Sequence, residues 1–122
     1  MRKHLVFSTL SELICIMPDN LVCISADGNY CTLLQADGTM RTVTIQLGQI
    51  ESLIFDQQVE SDGSKFVRIG KSLIINIRYV YYVNPARQKL ILSDARSFTH
   101  DMSASKEALK QLKEYIEKEV KK

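Results

Sequence analysis

Three observations predict a mainly β chain with a C-terminal amphipathic helix. Asp-Gly turn dipeptides stand at residues 27–28, 37–38 and 62–63, and short β-branched and aromatic runs lie between and beyond them. Apolar residues then keep three- and four-residue spacing from 108 to 120. Gly accepts a positive φ and Asp bonds its own following backbone, so each dipeptide marks a reversal.

The elements follow in order. LVCI (21–24), YCTLLQ (30–35) and MRTVTI (40–45) have strand length beside the first two turns and predict an antiparallel meander. In the third, Val43 and Ile45 alternate with Thr42 and Thr44, as in a half-exposed strand. LGQIESLIF (47–55) would fit a strand by length, but Leu47, Ile50, Leu53 and Ile54 have helical spacing and predict a short helix. KFVRI (65–69) and the long run SLIINIRYVYYV (72–83) read as strands, the latter ended by Asn84-Pro85, because proline cannot donate to a ladder. KLILS (89–93) and RSFTH (96–100) form a hairpin around Asp94-Ala95. The final helix is capped by Ser103 or Ser105, with Ala108, Leu109, Leu112, Tyr115, Ile116 and Val120 on its apolar face.

A chain of 122 residues, 45% hydrophobic, encloses one core. Its net charge of +2 conceals an asymmetry: residues 1–61 carry three Lys and Arg against seven Asp and Glu (−4), and residues 62–122 carry thirteen against seven (+6). Such a basic half suits a polyanion, although solvated lysines on a surface helix produce the same count. Cys15, Cys23 and Cys31 form no CxxC pair and have no metal-ligand spacing with His4 or His100, which fits reduced, packed thiols in a cytoplasmic protein. The N-terminus has too short an apolar stretch for a signal peptide, and no segment has the apolar length of a membrane span.

No catalytic constellation stands out. His100 beside Asp101 lacks a nucleophile, and GxxxxGK[ST], GxGxxG, HExxH and GxSxG are all missing from the chain. The expectation is therefore a non-enzyme with no catalytic residue, metal, cofactor or small-molecule substrate. Charge placement says more. Arg68, Lys71, Arg78, Arg87 and Arg96 stand at or near strand ends and turns, where a rigid sheet can present them to phosphates. Arg78, between Ile77 and Tyr79, reads as a plain outward-facing strand residue.

The order of LVCISADGNYCTLLQADGT, the IESLI segment, FVRIGKSLIINI and SDARSFTHDMSAS before a helix resembles the LytTR DNA-binding domain, the output module of many bacterial response regulators. This resemblance covers residues 21–122 and leaves 1–20 as an N-terminal extension of uncertain order, with no receiver domain ahead of it. It implies small antiparallel sheets in a LytTR-like arrangement and loops that enter DNA grooves. The implied partner is double-stranded DNA at promoter direct repeats, with no membrane. Carried over, Asn29 and Tyr30 occupy the first DNA-facing turn, Arg68 and Lys71 the second, and Ser103, Ser105 and Lys106 the third. Each has a structural alternative: Asn29 and Tyr30 shaping a turn, Arg68 pairing with Glu60 or Asp62, and Lys71 simply solvated. Gly70 stands where the family usually has histidine, and the 102–106 segment lacks the usual arginine, which removes base-reading donors. A second reading follows, a non-catalytic protein-interaction or homodimerisation module that keeps the fold and meets a partner regulator through YVYYV or a strand edge.

Overall fold

The computed structural model describes residues 4–57 and 63–120. Strands β1 (Leu5–Ser8) and β2 (Leu13–Ile16) form an antiparallel hairpin. A 3-10 turn at Pro18–Asn20 leads into β3 (Leu21–Asp27), β4 (Tyr30–Gln35) and β5 (Met40–Val43), followed by α1 (Leu47–Gln57). Next come β6 (Phe66–Ile69), β7 (Leu73–Asn76), β8 (Val80–Asn84), β9 (Lys89–Ser93), β10 (Thr99–Ser103) and α2 (Lys106–Val120). The three sheets are antiparallel: the β1–β2 pair, a five-stranded sheet in the order β5-β4-β3-β7-β6, and a three-stranded sheet in the order β10-β9-β8.

The five-stranded sheet is the middle layer, and each face carries its own core. On one side Ile24, Leu33 and Ile74 meet Leu47 and Ile50 of α1 and Leu5, Phe7 and Ile16 of the N-terminal hairpin. That hairpin is tied to α1 by Gln57, whose side chain both accepts from Val6 N–H and donates to Val6 C=O at 2.8 Å. On the other side Cys23, Leu34, Ile69 and Ile75 pack against Leu90 and Leu92 of the three-stranded sheet and Ala108, Leu109 and Leu112 of α2. A register shift between Leu21 and Cys23 gives β3 extra twist where it feeds both layers. Burial pushes the Cys23 thiol up to about 12 and also raises Cys31, against the opposing pull of Arg68, so both behave as small apolar core residues.

Four details differ from the sequence expectation. The run 72–83 is not one strand, because the chain leaves the five-stranded sheet at Asn76, makes a 3-10 turn over Ile77–Tyr79, and starts β8 in the other sheet. The cause is the Asn76 side chain, which accepts from Arg78 N–H at 3.1 Å and so bends the backbone out of the ladder. Arg78 consequently lies in that turn, 3.4 Å from Asp19 and over the Tyr79 ring, not on an alternating strand. Residues 96–98 are a loop and β10 begins at Thr99, because the Asp94 carboxylate collects the N–H groups of Arg96, Ser97 and Phe98. Those bonds, with the Ser97 hydroxyl foremost, hold the Asp94 carboxyl well below its usual range. Finally, Val120 is exposed, since α2 outruns the sheets it packs on.

Candidate nucleic-acid interface

Strand register brings the separate turns to one edge of the molecule. Ser25 of β3 lies opposite Leu73 of β7, and Ala26 N–H donates to Ser72 C=O at 2.8 Å. The Gly28-Asn29 turn that ends β3 and the Gly70-Lys71-Ser72 turn that starts β7 therefore project from the same end of the sheet. Gly28 supports the first of these with a φ of 63°, at the first position of a two-residue hairpin turn. Asn29 is exposed, and Tyr30 leaves 53% of its surface open; neither side chain has a hydrogen-bond partner among the described residues.

The third segment faces the second turn across a groove of about 330 Å³, lined by Ser25, the 69–73 turn, Met102–Ser105 and Ala108. Lys71, Ser103 and Ser105 thus meet around one concavity. Ser105, not Ser103, caps α2: its hydroxyl accepts from Ala108 N–H at 3.1 Å, while Ser103 ends β10 opposite Lys89. Lys106 follows, exposed, at the first position of α2.

Gly70 explains how closely these segments approach. Its φ is +60°, and a Cβ built there would stand 2.9 Å from the Ala108 Cβ, so α2 lies directly on the turn. Its N–H also donates to Gln111 Oε1 at 3.3 Å. The missing side chain is what lets helix and turn touch.

Arg68 has a different setting. It points to the α1 side of the sheet, where its guanidinium meets Glu51 at 3.1 Å and donates to Lys71 C=O at 3.2 Å. Its charge is compensated, and its second bond props the turn that carries Lys71. Glu60 and Asp62, the partners expected from sequence, lie outside the described residues. Lys71 and Lys106 form no ion pair among the described residues.

The loop from Pro85 to Gln88 also belongs to this edge. Ala104 N–H donates to Gln88 C=O at 3.4 Å, and Ser103 and Asn84 both pair with Lys89, so this loop sits beside the third segment. It presents Arg87, exposed, on a turn fixed by the bond from Arg87 N–H to Asn84 Oδ1 at 3.1 Å. In the sequence Arg87 is one of several strand-end cations. Only the β8–β9–β10 register joins it to Ser103–Lys106.

No helix among the described residues is long and apolar enough to cross a membrane. No curated protein matches the chain. The LytTr DNA-binding domain of a Bacillus cereus protein described as a methyl-accepting/DNA response regulator has the same fold. It aligns with a TM-score of 0.60 over 95% of this chain and 98% of its own, at 14% identity. The family model for the LytTr DNA-binding domain matches residues 11–117, which takes in every turn of this edge, and the chain belongs to the LytTR DNA-binding domain family.

Proposed function

We propose that the chain is a cytoplasmic bacterial transcriptional regulator that binds duplex DNA, at promoter direct repeats, through this edge. The observation that carries the reading is the meeting of the Gly70–Ser72 turn and the Ser103–Ser105 segment around one concavity, with the Gly28–Asn29 turn at the same end of the sheet and Lys71 and Lys106 uncompensated by any ion pair among the described residues. Lys71 and Lys106 contact phosphates and fix the register on the duplex. Asn29, Tyr30 and Ser103 supply polar groups for base edges and sugars, Arg68 holds the Lys71 turn in place, and Ser105 orients the start of α2. With no side chain at Gly70, specificity draws more on these groups and on duplex shape than on bidentate readout. No step of this function is catalytic.

Fluorescence anisotropy across a salt series, on a duplex selected from a random library and on a scrambled control, tests the reading. Lys71→Ala is expected to weaken binding to both duplexes alike and to reduce the slope of log K against log salt by about one. An unchanged slope removes Lys71 from the interface.

A second reading, self-association, is favoured by one specific feature. β8 is an edge strand of the three-stranded sheet, and Tyr81 on it is 71% exposed. Light scattering over a concentration series checks it: a dimer that Tyr81→Lys dissolves supports pairing through β8, and a monomer throughout removes it.

A further inference from the structure

We infer that the DNA-contacting surface continues beyond the three turns, into the groove between the β8–β9 loop and α2, where Lys110 and Arg87 bind phosphates flanking the segment that is read. The inference rests on the DNA-binding reading and extends it to residues that no motif marks.

The groove, of about 490 Å³, has Asn84, Pro85 and Ala86 on one wall and Lys106, Lys110 and Lys113 on the other. It is continuous with the candidate interface, because Lys106 belongs to both and the Ala104–Gln88 bond joins their backbones. The three lysines recur at four- and three-residue intervals, so α2 aims them along one face.

Their charges are not equally available. Lys113 is 2.9 Å from Glu117, whereas Lys106 and Lys110 have no ion pair among the described residues. The cationic end of the groove therefore adjoins the turns, and Glu114 and Glu117 close its far end. Two uncompensated lysines four residues apart on a helix repel each other, a cost that a polyanion across them removes. Lys106 and Lys110 lie about 6 Å apart along the helix axis, and Arg87 is exposed on the β8–β9 loop directly after Ala86 of the opposite wall, on a turn held by Asn84. Asp27, Asp101 and Glu107 also stand near this edge, but none lines the groove, and Asp101 is paired with Lys89 at 3.2 Å. A phosphate strand leaving the turns on this side would meet Lys106 and Lys110 before Glu114 and Glu117, with Arg87 on the loop beside them.

The test compares the intact chain with Arg87→Ala/Lys110→Ala, with Lys71→Ala and, as the same single-charge change as Lys71→Ala placed past the acidic end, with Lys118→Ala. All are measured on the selected and scrambled duplexes across salt. Arg87 and Lys110 are exposed, and an unchanged thermal midpoint verifies the fold of the double variant. Two phosphate contacts at a slope of about 0.9 each mean that, between 50 and 200 mM salt, the intact chain loses about 10-fold more affinity than the double variant. The loss of affinity at low salt is expected to be equal on both duplexes, and Lys118→Ala to behave as wild type. A wild-type slope in the double variant alongside a reduced slope in Lys71→Ala overturns the inference and leaves the DNA reading intact. A slope reduction in Lys118→Ala equal to that in Lys71→Ala also overturns it, because net charge then explains the effect. Failure of the intact chain to bind either duplex overturns the DNA reading and this inference together.

Discussion

Replacing Asn76 with alanine is expected to lower folding stability by about 3–5 kcal/mol, the sum of two or three stranded backbone groups at about 1–3 kcal/mol each. Asn76 is the one buried polar residue in the described core, fully enclosed at 0% exposure. Its Nδ2 donates to Leu21 C=O at 2.9 Å and reaches Pro18 C=O and Ser64 Oγ at 3.3 and 3.2 Å. Its Oδ1 accepts from Arg78 N–H at 3.1 Å and Lys65 N–H at 3.3 Å. One side chain thus joins the start of β3, the entry to β6 and the exit from β7, where the chain changes sheets. Alanine removes the partner of Leu21 C=O and of the Arg78 and Lys65 N–H groups around a fully buried position, whereas Pro18 C=O keeps its bond from Leu21 N–H. A domain of this size has only about 5–15 kcal/mol in total, so the urea midpoint should fall steeply at an unchanged m-value. A loss below about 1 kcal/mol would mean that the bend is set by surrounding packing and not by Asn76.

Gly70→Ala is expected to cost about 2–3 kcal/mol, from two separable sources. A side chain at a φ of +60° is strained by itself, and the new Cβ would stand 2.9 Å from that of Ala108 at the start of α2. Ala108 is buried against the core, so relief requires α2 or the turn to move. In an Ala108→Gly background the contact is gone, and Gly70→Ala should then cost only about 1 kcal/mol, the backbone part. Equal costs in the two backgrounds would show that α2 yields freely and that the close approach is incidental. The same geometry bears on histidine, usual in the family here: Gly70→His adds a base-reading donor but displaces the α2 start that carries Ser105 and Lys106. It is therefore expected to weaken DNA binding.

Much of this was legible in the residues. Asp27-Gly28 and Asp37-Gly38 mark their turns, and the spacing of Leu47, Ile50, Leu53 and Ile54 marks α1 despite its strand-like length. The spacing of Ala108, Leu109 and Leu112 marks the buried face of α2. The FVRIGKSLIINI block, with the turns and segments around it, carries the family. These are local signals, since turn chemistry and helical periodicity act within a few residues.

What tertiary structure alone decided follows from the limits of those signals. Residues 72–83 look like a single strand because a strand buried on both faces has no alternation to interrupt, and the bend at Asn76 is held by Leu21 and Pro18, more than fifty residues away. Arg68 was marked as a cation in a DNA-facing turn, but Glu51 on α1 determines that it props the turn through Lys71 C=O. Gly70 reads as a lost donor until Ala108 is seen against it. Arg87 joins the edge only through the pairing of β9 with β8 and β10, and Lys110 on α2 meets the β8–β9 loop across their groove. The sequence by itself determined α1, α2, the β3–β4–β5 meander and the family, because these depend on near neighbours along the chain. Which cations remain uncompensated, and how far the basic surface extends, were decided by the fold, because ion pairing depends on distances in space that only packing sets.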